Sequence, residues 1–135
     1  MISYVDSIEG ITPNQLHGFF EGWINPPSPE IHLKVLANSY RIVLAVDDET
    51  GNVVGFVTAI SDGILNAYIP LLEVLRPYRR QGIGQELMRQ MLEKLRQFRG
   101  IDLHCEKELE LFYARFGMSP AFGMMVRNYE HQERC

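Results

Sequence analysis

Apolar residues along the chain follow two patterns, one typical of strands and one typical of helices. The short runs rich in β-branched and aromatic side chains, which predict strands, are 2–6, 41–47, 53–60, 64–75 and 101–105. Turns join the three middle runs, and Asp62-Gly63 is the signal of a tight hairpin, so these runs predict an antiparallel meander. Pro70 lacks a backbone N–H, so we expect an edge, a bulge or an interrupted ladder in the third meander strand.

Other segments carry apolar residues at the three- and four-residue steps of a helix. The predicted helices are 12–23, 28–38, 82–98 and 107–116. The first two open with a capping residue followed by proline, Thr12-Pro13 and Ser28-Pro29. Residues 118–129 are expected to form one or two last strands. The elements therefore alternate as β-α-α-β-β-β-α-β-α-β, which predicts a mixed α/β sheet.

Composition narrows the class of protein. The 135 residues suit one domain, so we expect a single domain over 1–135. The apolar content of 46% is that of a folded globular protein and excludes extended disorder. A net charge of −4 argues against a nucleic-acid binder, which normally presents a basic face. With no signal-peptide pattern and no apolar run near 20 residues, we expect a cytoplasmic protein that does not enter a membrane.

The two cysteines predict neither a disulfide framework nor a metal site. Cys105 stands in an apolar run and Cys135 is the last residue, so both are expected as free thiols in a reducing compartment. The sequence has no C-x-x-C pairs from which a four-ligand zinc site could be built. We therefore expect no metal.

The segment Arg79-Arg80-Gln81-Gly82-Ile83-Gly84 carries the strongest chemical signal, because it lies where a predicted strand hands over to a helix. Two glycines spaced by one residue let backbone amides approach a ligand closely. A helix N-terminus also leaves its first N–H groups unpaired and carries a positive dipole end. This combination suits a pyrophosphate. The alternative is an ordinary glycine-containing turn with solvated arginines.

The wider context resembles a known family. Residues 74–84 read Val-Leu-Arg-Pro-Tyr-Arg-Arg-Gln-Gly-Ile-Gly, which is similar to the Q/R-x-x-G-x-G/A acyl-CoA-binding motif of the GNAT acyltransferase superfamily. Residues 111–118, Leu-Phe-Tyr-Ala-Arg-Phe-Gly-Met, resemble its F-Y-x-x-x-G-F segment. The resemblance covers residues 2–129 and implies the GNAT N-acyltransferase fold with a splayed central sheet.

The resemblance also implies acetyl-CoA as the acetyl donor. Its pyrophosphate would lie on the loop of residues 79–85, and its pantetheine arm would pair with the strand at 73–75. A backbone N–H near Val74 or Leu75 would polarise the thioester carbonyl. The cofactor-binding residues implied are Val74, Leu75, Arg79, Arg80, Gln81, Gly82, Ile83, Gly84, Gln85 and Glu106.

The resemblance implies a catalytic acid but leaves several candidates for the base. Tyr113 occupies the family's position for the acid that protonates the leaving thiolate, although it also fits a packed aromatic stripe. Glu73 is either a general base acting through water or a strand residue facing solvent. Glu106 is a second candidate base, but many relatives carry asparagine there, and Tyr68 aligns where some members have a glutamate base. His104 is a proton carrier or a structural residue, and ordered water remains an alternative base.

The identity of the acceptor is what the sequence determines least. The first helices of this fold usually border the acceptor pocket, and here they offer aromatic side chains that suit an apolar or aromatic amine, or that merely form a helix's apolar face. The residues of this wall are Phe19, Phe20, Trp23, Asn25 and Tyr40, and Phe19, Trp23 and Tyr68 are the predicted substrate contacts. We expect an acetyl-CoA-dependent N-acetyltransferase of a small primary amine. A CoA-binding sensor or interaction module, a protein or peptide N-acetyltransferase, and a homodimeric assembly stay open.

Overall fold

Five strands form one mixed sheet in the computed structural model, which describes residues 1–128. They are β1 (Ile2–Val5), β2 (Arg41–Asp47), β3 (Val53–Ser61), β4 (Asn66–Val74) and β5 (Gly100–Asp102). The strands lie side by side in chain order. Neighbours from β1 to β4 are antiparallel, whereas β5 runs parallel to β4. The predicted meander and the mixed α/β class are therefore confirmed.

Three helices and three single turns of 3-10 helix complete the fold of residues 1–128. The helices are α1 (Pro29–Ala37), α2 (Ile83–Leu95) and α3 (Glu110–Ala114), and the turns are Pro13–Gln15, Arg76–Tyr78 and Lys107–Leu109. Ser28 caps α1 as predicted, because its hydroxyl oxygen accepts the N–H of Ile31 at 3.2 Å. None of the helices in residues 1–128 is long and apolar enough to cross a lipid bilayer.

Each face of the sheet has its own hydrophobic core. Alternate residues of β2 point to opposite faces, so Val43 contributes to one core and Leu44 to the other. The helix α2 packs on the first face with Leu87, Met88, Met91 and Leu95 fully buried. On the second face, α1 and the segment before it pack through Leu16, Phe19, Phe20 and Leu36. Both cores fix β3 and β4, so the edge of β4 is a rigid platform.

The sheet opens between β4 and β5. The two strands pair only from Asn66↔Gly100 to Tyr68↔Asp102. Beyond Tyr68, the rest of β4 pairs with β3 alone among the described strands. The β3–β4 register also shifts between Thr58 and Ile60, opposite Pro70, so the predicted bulge at this proline is confirmed. The result is the splayed sheet that the family resemblance implied.

Three predicted elements differ from the structure. The helix predicted over 12–23 is wrong: only Pro13–Gln15 forms a turn of 3-10 helix. Positive φ angles at Gly18 (95°), Phe20 (65°) and Gly22 (84°) break the chain into successive turns. Residues 118–128 form no strand, and residue 129 of that prediction lies outside the described residues. The hairpin at Asp62 is longer than predicted, because this carboxylate accepts the N–H groups of Ile64 and Leu65, both at 2.8 Å.

Candidate active site

A cleft of about 760 Å³ lies where β4 and β5 diverge. The strand β4 forms one wall from Tyr68 to Glu73, and residues 104–106 and α3 form the other. The turns after residue 19 border one end, and Met125 and Arg127 of the segment 118–128 border the cleft as well. The predicted site residues that line it are Trp23, Tyr68, Glu73, Arg79, Glu106 and Tyr113. The cleft thus gathers residues that are up to about a hundred positions apart in the chain.

The loop of residues 79–85, hereafter the phosphate loop, is held from both sides. Before it, the Tyr78 hydroxyl donates to Asp47 Oδ2 at 2.6 Å, which ties the turn Arg76–Tyr78 to β2 and holds the pKa of that carboxyl below its usual range. Within it, Arg80 (φ 65°) and Gly82 (φ 83°) adopt left-handed backbone conformations. The chain then enters α2, where the Glu86 N–H donates to the Gly82 carbonyl at 3.0 Å.

The loop geometry fits an anionic ligand. The first N–H that donates within α2 is that of Glu86. The N–H groups of Ile83, Gly84 and Gln85 come before it, so they have no carbonyl of the helix to which they could donate. A Cβ at Gly82 would meet no protein atom within 4 Å, which leaves room for a ligand against the backbone. Ile83 itself is buried in the core, so it contributes its amide and not its side chain. The backbone cradle that the sequence predicted is present.

The two arginines of the loop are not equivalent. Arg79 Nε donates to the Val74 carbonyl at 2.8 Å, and its guanidinium pairs with Glu21 at 3.3 Å. Glu21 also pairs with Arg76, and these two cations lower the pKa of its carboxyl. Arg80 makes no hydrogen bond or ion pair with the described residues, and it is exposed. Arg79 therefore braces the loop, whereas Arg80 is free to meet a ligand.

The backbone of β4 corrects one prediction. The Leu75 N–H donates to the Val54 carbonyl at 2.8 Å, so it cannot polarise a thioester, and this part of the prediction is wrong. Backbone groups alternate in direction along an antiparallel strand. The neighbouring Val74 N–H therefore points to the open edge, where an extended ligand could reach it. The side chain of Leu75 packs beside Gly18, where a Cβ atom would lie 3.2 Å from Leu75 Cδ2.

Glu73 lies in the cleft but neither faces bulk solvent nor stands free as a base. Its Oε1 accepts the N–H of Phe20 at 2.8 Å and its Oε2 accepts the N–H of Glu21 at 3.3 Å. These two bonds hold the left-handed residue Phe20 in place. Glu73 is thus a bridge from β4 to the segment 16–25, hereafter the acceptor turn.

The aromatic wall is smaller than predicted. Phe19 does not line the cleft, because it is buried in the core, where its ring lies 5.1 Å from that of Phe56. Phe20 and Trp23 do line it, with ring centroids 5.0 Å apart. Tyr40 packs against Phe98 and is not part of the cleft. The alternation of turns in this segment, rather than a helix, decides which aromatic rings reach the cleft.

A family model described as the acetyltransferase (GNAT) family matches residues 9–118. The chain belongs to the GNAT acetyltransferase family. Both the phosphate loop and α3 fall within the matched residues. The resemblance drawn from the two motifs is therefore confirmed.

Solved structures place the GNAT chain among acetyltransferases. A protein of Deinococcus radiodurans R1, whose crystal structure carries the provisional assignment of acetyltransferase, has a TM-score of 0.93 and 46% identity over 97% of this chain and 91% of that one. A GNAT-family acetyltransferase of Streptococcus pneumoniae TIGR4 has a TM-score of 0.72 and 27% identity, covering 95% and 98%. At 12% identity and a TM-score of 0.70, the glucosamine-6-phosphate N-acetyltransferase of Arabidopsis thaliana shares the fold alone.

Curated relatives give the same family. Two N-acetyltransferases named ycf52 and described as uncharacterized, from Porphyra purpurea and Pyropia yezoensis, are 28% and 29% identical to this chain. Each match covers 71% of this chain and 57% of the relative. The GNAT chain therefore spans little more than half the length of these relatives.

Within the GNAT chain, Tyr113 belongs to the packed aromatic stripe and also reaches the cleft. Its ring packs edge-on against Phe112, with centroids 4.9 Å apart, and it also lines the cleft. Burial, together with the nearby Cys105, raises the pKa of its phenol to about 12. The hydroxyl therefore stays protonated at neutral pH and can donate to a developing thiolate. The aromatic stripe holds this phenol at the wall of the cleft.

Sequence reasoning missed two features of the cleft. The Tyr68 hydroxyl lies 2.8 Å from His104 Nδ1, which joins β4 to the segment that follows β5. Met125 and Arg127 line the cleft although they were expected in a strand. The alternation of His104 with apolar Leu103 was a signal for the Tyr68–His104 contact. No pattern in the sequence indicated that Met125 and Arg127 would line the cleft. Among the described residues, Cys105 is an exposed free thiol, and no group of three or more potential ligands could hold a metal ion.

Proposed function

We propose that this GNAT protein transfers the acetyl group of acetyl-CoA to a primary amine of a small molecule. The observation that carries the proposal is the position of two features along the same end of β4. One is the backbone cradle at the start of α2, whose first amides have no helical partner and where a Cβ at Gly84 would lie 3.8 Å from Phe112 and Val74. The other is Tyr113, which follows Phe112, stays protonated and lines the cleft together with Arg79. The first suits the phosphates of a CoA thioester and the second suits its leaving sulfur.

The donor would be held mainly by backbone. The amides of residues 83–85 and the dipole of α2 would bind the pyrophosphate. The edge of β4 would pair with the amide-containing arm, because past Tyr68 its outward N–H and C=O groups have no partner strand within residues 1–128. When bound, acetyl-CoA supplies an activated acyl group, so the protein needs only to position and to move protons.

The reaction is a direct displacement. A neutral amine attacks the thioester carbonyl, and the developing oxyanion would accept the Val74 N–H. Collapse of the tetrahedral adduct breaks the C–S bond, and Tyr113 would give its proton to the sulfur. No covalent enzyme intermediate is needed, since donor and acceptor meet in one cleft.

The side chains that border the cleft favour a small acceptor. Met125 and Arg127 border it together with Phe20 and Trp23. A folded protein would have to pass these side chains to bring a lysine to the thioester, whereas a free amine would not. The cleft volume of about 760 Å³ is of the size that holds small-molecule ligands.

A panel of amines tests the proposal. The protein is incubated with acetyl-CoA and each of a set of alkyl, aromatic and phosphorylated amines, lysine-containing peptides and amino-terminal peptides, and free thiol is measured. We expect turnover with at least one small amine and none with the peptides. Turnover with peptides alone would instead identify a peptide N-acetyltransferase. Binding of CoA, seen by calorimetry, without turnover of any amine would identify a CoA-binding module.

A further inference from the structure

Tyr68 and His104 form a hydrogen-bonded pair at the inner end of the cleft. The Tyr68 hydroxyl oxygen lies 2.8 Å from His104 Nδ1, and the two rings meet edge-on with centroids 5.6 Å apart. Tyr68 is the last residue of β4 that pairs with β5, so the pair stands where the two strands begin to diverge. Both side chains line the same cleft as Tyr113. The pair therefore faces the space in which the proposed reaction would occur.

The surroundings of His104 distinguish its two ring nitrogens, and the one that faces Tyr68 is Nδ1. A Cβ at Gly123 would lie 2.6 Å from His104 Nε2, so the segment 118–128 passes directly over that edge of the ring. The other ring nitrogen, Nδ1, faces the tyrosine hydroxyl. Imidazole is the side chain best suited to take and release protons near neutral pH. The Tyr68 hydroxyl therefore gives His104 a hydrogen-bonded route to the cleft through Nδ1, and the imidazole is itself exposed.

We propose that Tyr68 and His104 together remove the proton that the acceptor's ammonium group must lose before it attacks. This inference rests on the proposed function and names the base of that reaction. Tyr68 contacts the acceptor nitrogen, and His104 acts through Tyr68. Glu73 is excluded from this role because both of its oxygens hold the acceptor turn.

The proton balance is as follows. The ammonium proton passes to Tyr68 Oη as the hydroxyl proton of Tyr68 moves to His104 Nδ1, which leaves a neutral amine and an imidazolium. The amine then forms the N–C bond, the C–S bond breaks, and the thiolate takes the proton of Tyr113. The second nitrogen proton goes through water to replace the one that Tyr113 gave. After product release, His104 returns its proton to water through Tyr68.

Other charged groups border the cleft and will shape the pH dependence. Besides Tyr113, they are Glu21 and Glu73 from one side, Arg79 from the phosphate loop, Cys105 and Glu106 after β5, and Arg127 from the segment 118–128. Asp102 is paired with Tyr68 across the β4–β5 ladder. None of these has a hydrogen bond or ion pair with Tyr68 or His104 in residues 1–128.

The first experiment tests the pair without any activity. Long-range proton–nitrogen spectra of histidine-labelled protein report the tautomer of each ring, and H104Q assigns the His104 signals. We expect His104 to carry its proton on Nε2, with Nδ1 accepting from Tyr68, and Y68F to shift the Nδ1 signal. An unchanged His104 spectrum in Y68F would overturn the pair. Y40F, which removes a hydroxyl outside the cleft, is the matched control.

The second experiment uses the best amine from the panel. Y68F and H104Q should each lower kcat/KM by about 10²–10³-fold at neutral pH, and the double variant should lose no more than either single one. The loss should shrink as the pH rises toward that at which the amine is already neutral. It should also shrink for the β-fluorinated analogue of the same amine, whose ammonium form is more acidic. The KM for acetyl-CoA should not change.

The two failures are distinguishable. A wild-type protein that binds CoA but acetylates no amine would refute the proposed function. A wild-type protein that acetylates its amine, with Y68F and H104Q equally active across the pH range, would leave that function intact and refute the relay. An equal loss for the amine and its fluorinated analogue would also refute it, because a merely structural role does not depend on the basicity of the acceptor.

Discussion

The two ends of the cleft are built in different ways. At the phosphate loop, the groups that would face a ligand come from consecutive residues, namely two left-handed residues and the first amides of α2. The distant residues Asp47 and Glu21 only brace the loop. At the acceptor turn, the shape depends on contacts between distant parts of the chain, such as the bonds from Glu73 to the amides of Phe20 and Glu21. A site made of local backbone tolerates many side chains, whereas one made of long-range contacts is sensitive to each of them.

This difference suggests that the donor end changes little while the acceptor end is free to diverge. The backbone amides present the same chemistry whatever the neighbouring side chains are. The acceptor end is instead shaped by Phe20, Trp23, Met125 and Arg127, which come from two segments without regular structure. Substitutions at the two ends should therefore separate donor binding from acceptor use, and four predictions test this.

Gly82→Asp should have the largest effect. At φ 83° an aspartate is strained, and its carboxylate would stand in the space next to the phosphate loop. CoA at a hundred times its Kd should stabilise the wild-type protein by about 2.7 kcal/mol, and this gain should vanish in the variant. Thermal unfolding with and without CoA measures it. Gly10→Asp is the matched control, because Gly10 has a similar left-handed backbone (φ 79°), lies outside the loop and also leaves a Cβ without a protein atom within 4 Å. A folded Gly82→Asp protein that keeps the full shift would contradict the assignment of the loop.

Tyr113→Phe should lower kcat by about 10²–10⁴-fold, the range for a positioned general acid. The ring and its packing against Phe112 remain, so folding and the affinity for CoA should be retained. Because the thiol of CoA is itself fairly acidic, a loss near tenfold would assign Tyr113 to orienting the donor. Steady-state kinetics with a saturating amine decide between the two. Wild-type kcat, with chemistry shown to be rate-limiting, would return Tyr113 to the aromatic stripe alone.

Glu73→Gln should act on the acceptor and not on the donor. The amide side chain keeps one oxygen for the Phe20 N–H but replaces the second acceptor with a donor, so the acceptor turn should loosen. We expect the KM of the amine to rise by about tenfold, since one charge-assisted hydrogen bond is worth about 1.5–3 kcal/mol. The kcat and the CoA affinity should be nearly unchanged. If kcat fell a hundredfold with KM unaltered, Glu73 would be a base after all.

His32→Leu should have the smallest effect at neutral pH and a larger one in acid. His32 is buried among Phe19, Phe20 and Phe56 beneath the acceptor turn, and neither ring nitrogen has a hydrogen-bond partner among the described residues. Burial lowers its pKa from 6.5 to about 4. Below pH 6.5, His32 is therefore protonated in the unfolded chain but stays neutral in the folded protein. The free energy of unfolding falls as the pH drops from 6.5 to about 4.

The size of this acid loss is on the order of 3 kcal/mol, at about 1.4 kcal/mol for each unit of pKa shift. His32→Leu should remove this component while leaving the stability at pH 8 equal or slightly higher, because no hydrogen bond is lost. Denaturant unfolding from pH 8 to pH 4 measures it. His17→Gln, at an exposed position, should behave like the wild type. An identical acid loss in His32→Leu would assign it to other groups.

The sequence predicted the donor end well because its signals are local. The helical stripe of α2 and the Gly82 turn are each set by a few neighbouring residues. The acceptor turn was predicted as a helix because Leu16, Phe19 and Phe20 repeat at helical spacing. They are buried as that spacing indicates, but successive left-handed residues bring them inward from turns. Periodicity reported which side chains are buried and not which backbone carries them.

The tertiary part of the site could not be read from the sequence. Nothing near Glu73 indicates that its carboxylate meets an amide 53 positions earlier. The pairing of Tyr68 with His104 depends on the parallel arrangement of β4 and β5, which is set by the crossover through α2. The segment 118–128 has strand-like composition, but pairing needs a partner edge, and its exposed Phe122 and Met124 show that composition alone does not create one.

The open edge of β4 has a consequence for solubility. A strand with unpaired backbone groups is a template on which another chain can add a strand, and proteins limit this growth with proline, bulges and charged residues. β4 has all three: Pro70, the bulge opposite it and Glu73. These features let the sheet remain open toward an extended ligand while discouraging intermolecular pairing. A variant with a residue other than proline at position 70 would be expected to aggregate sooner on concentration.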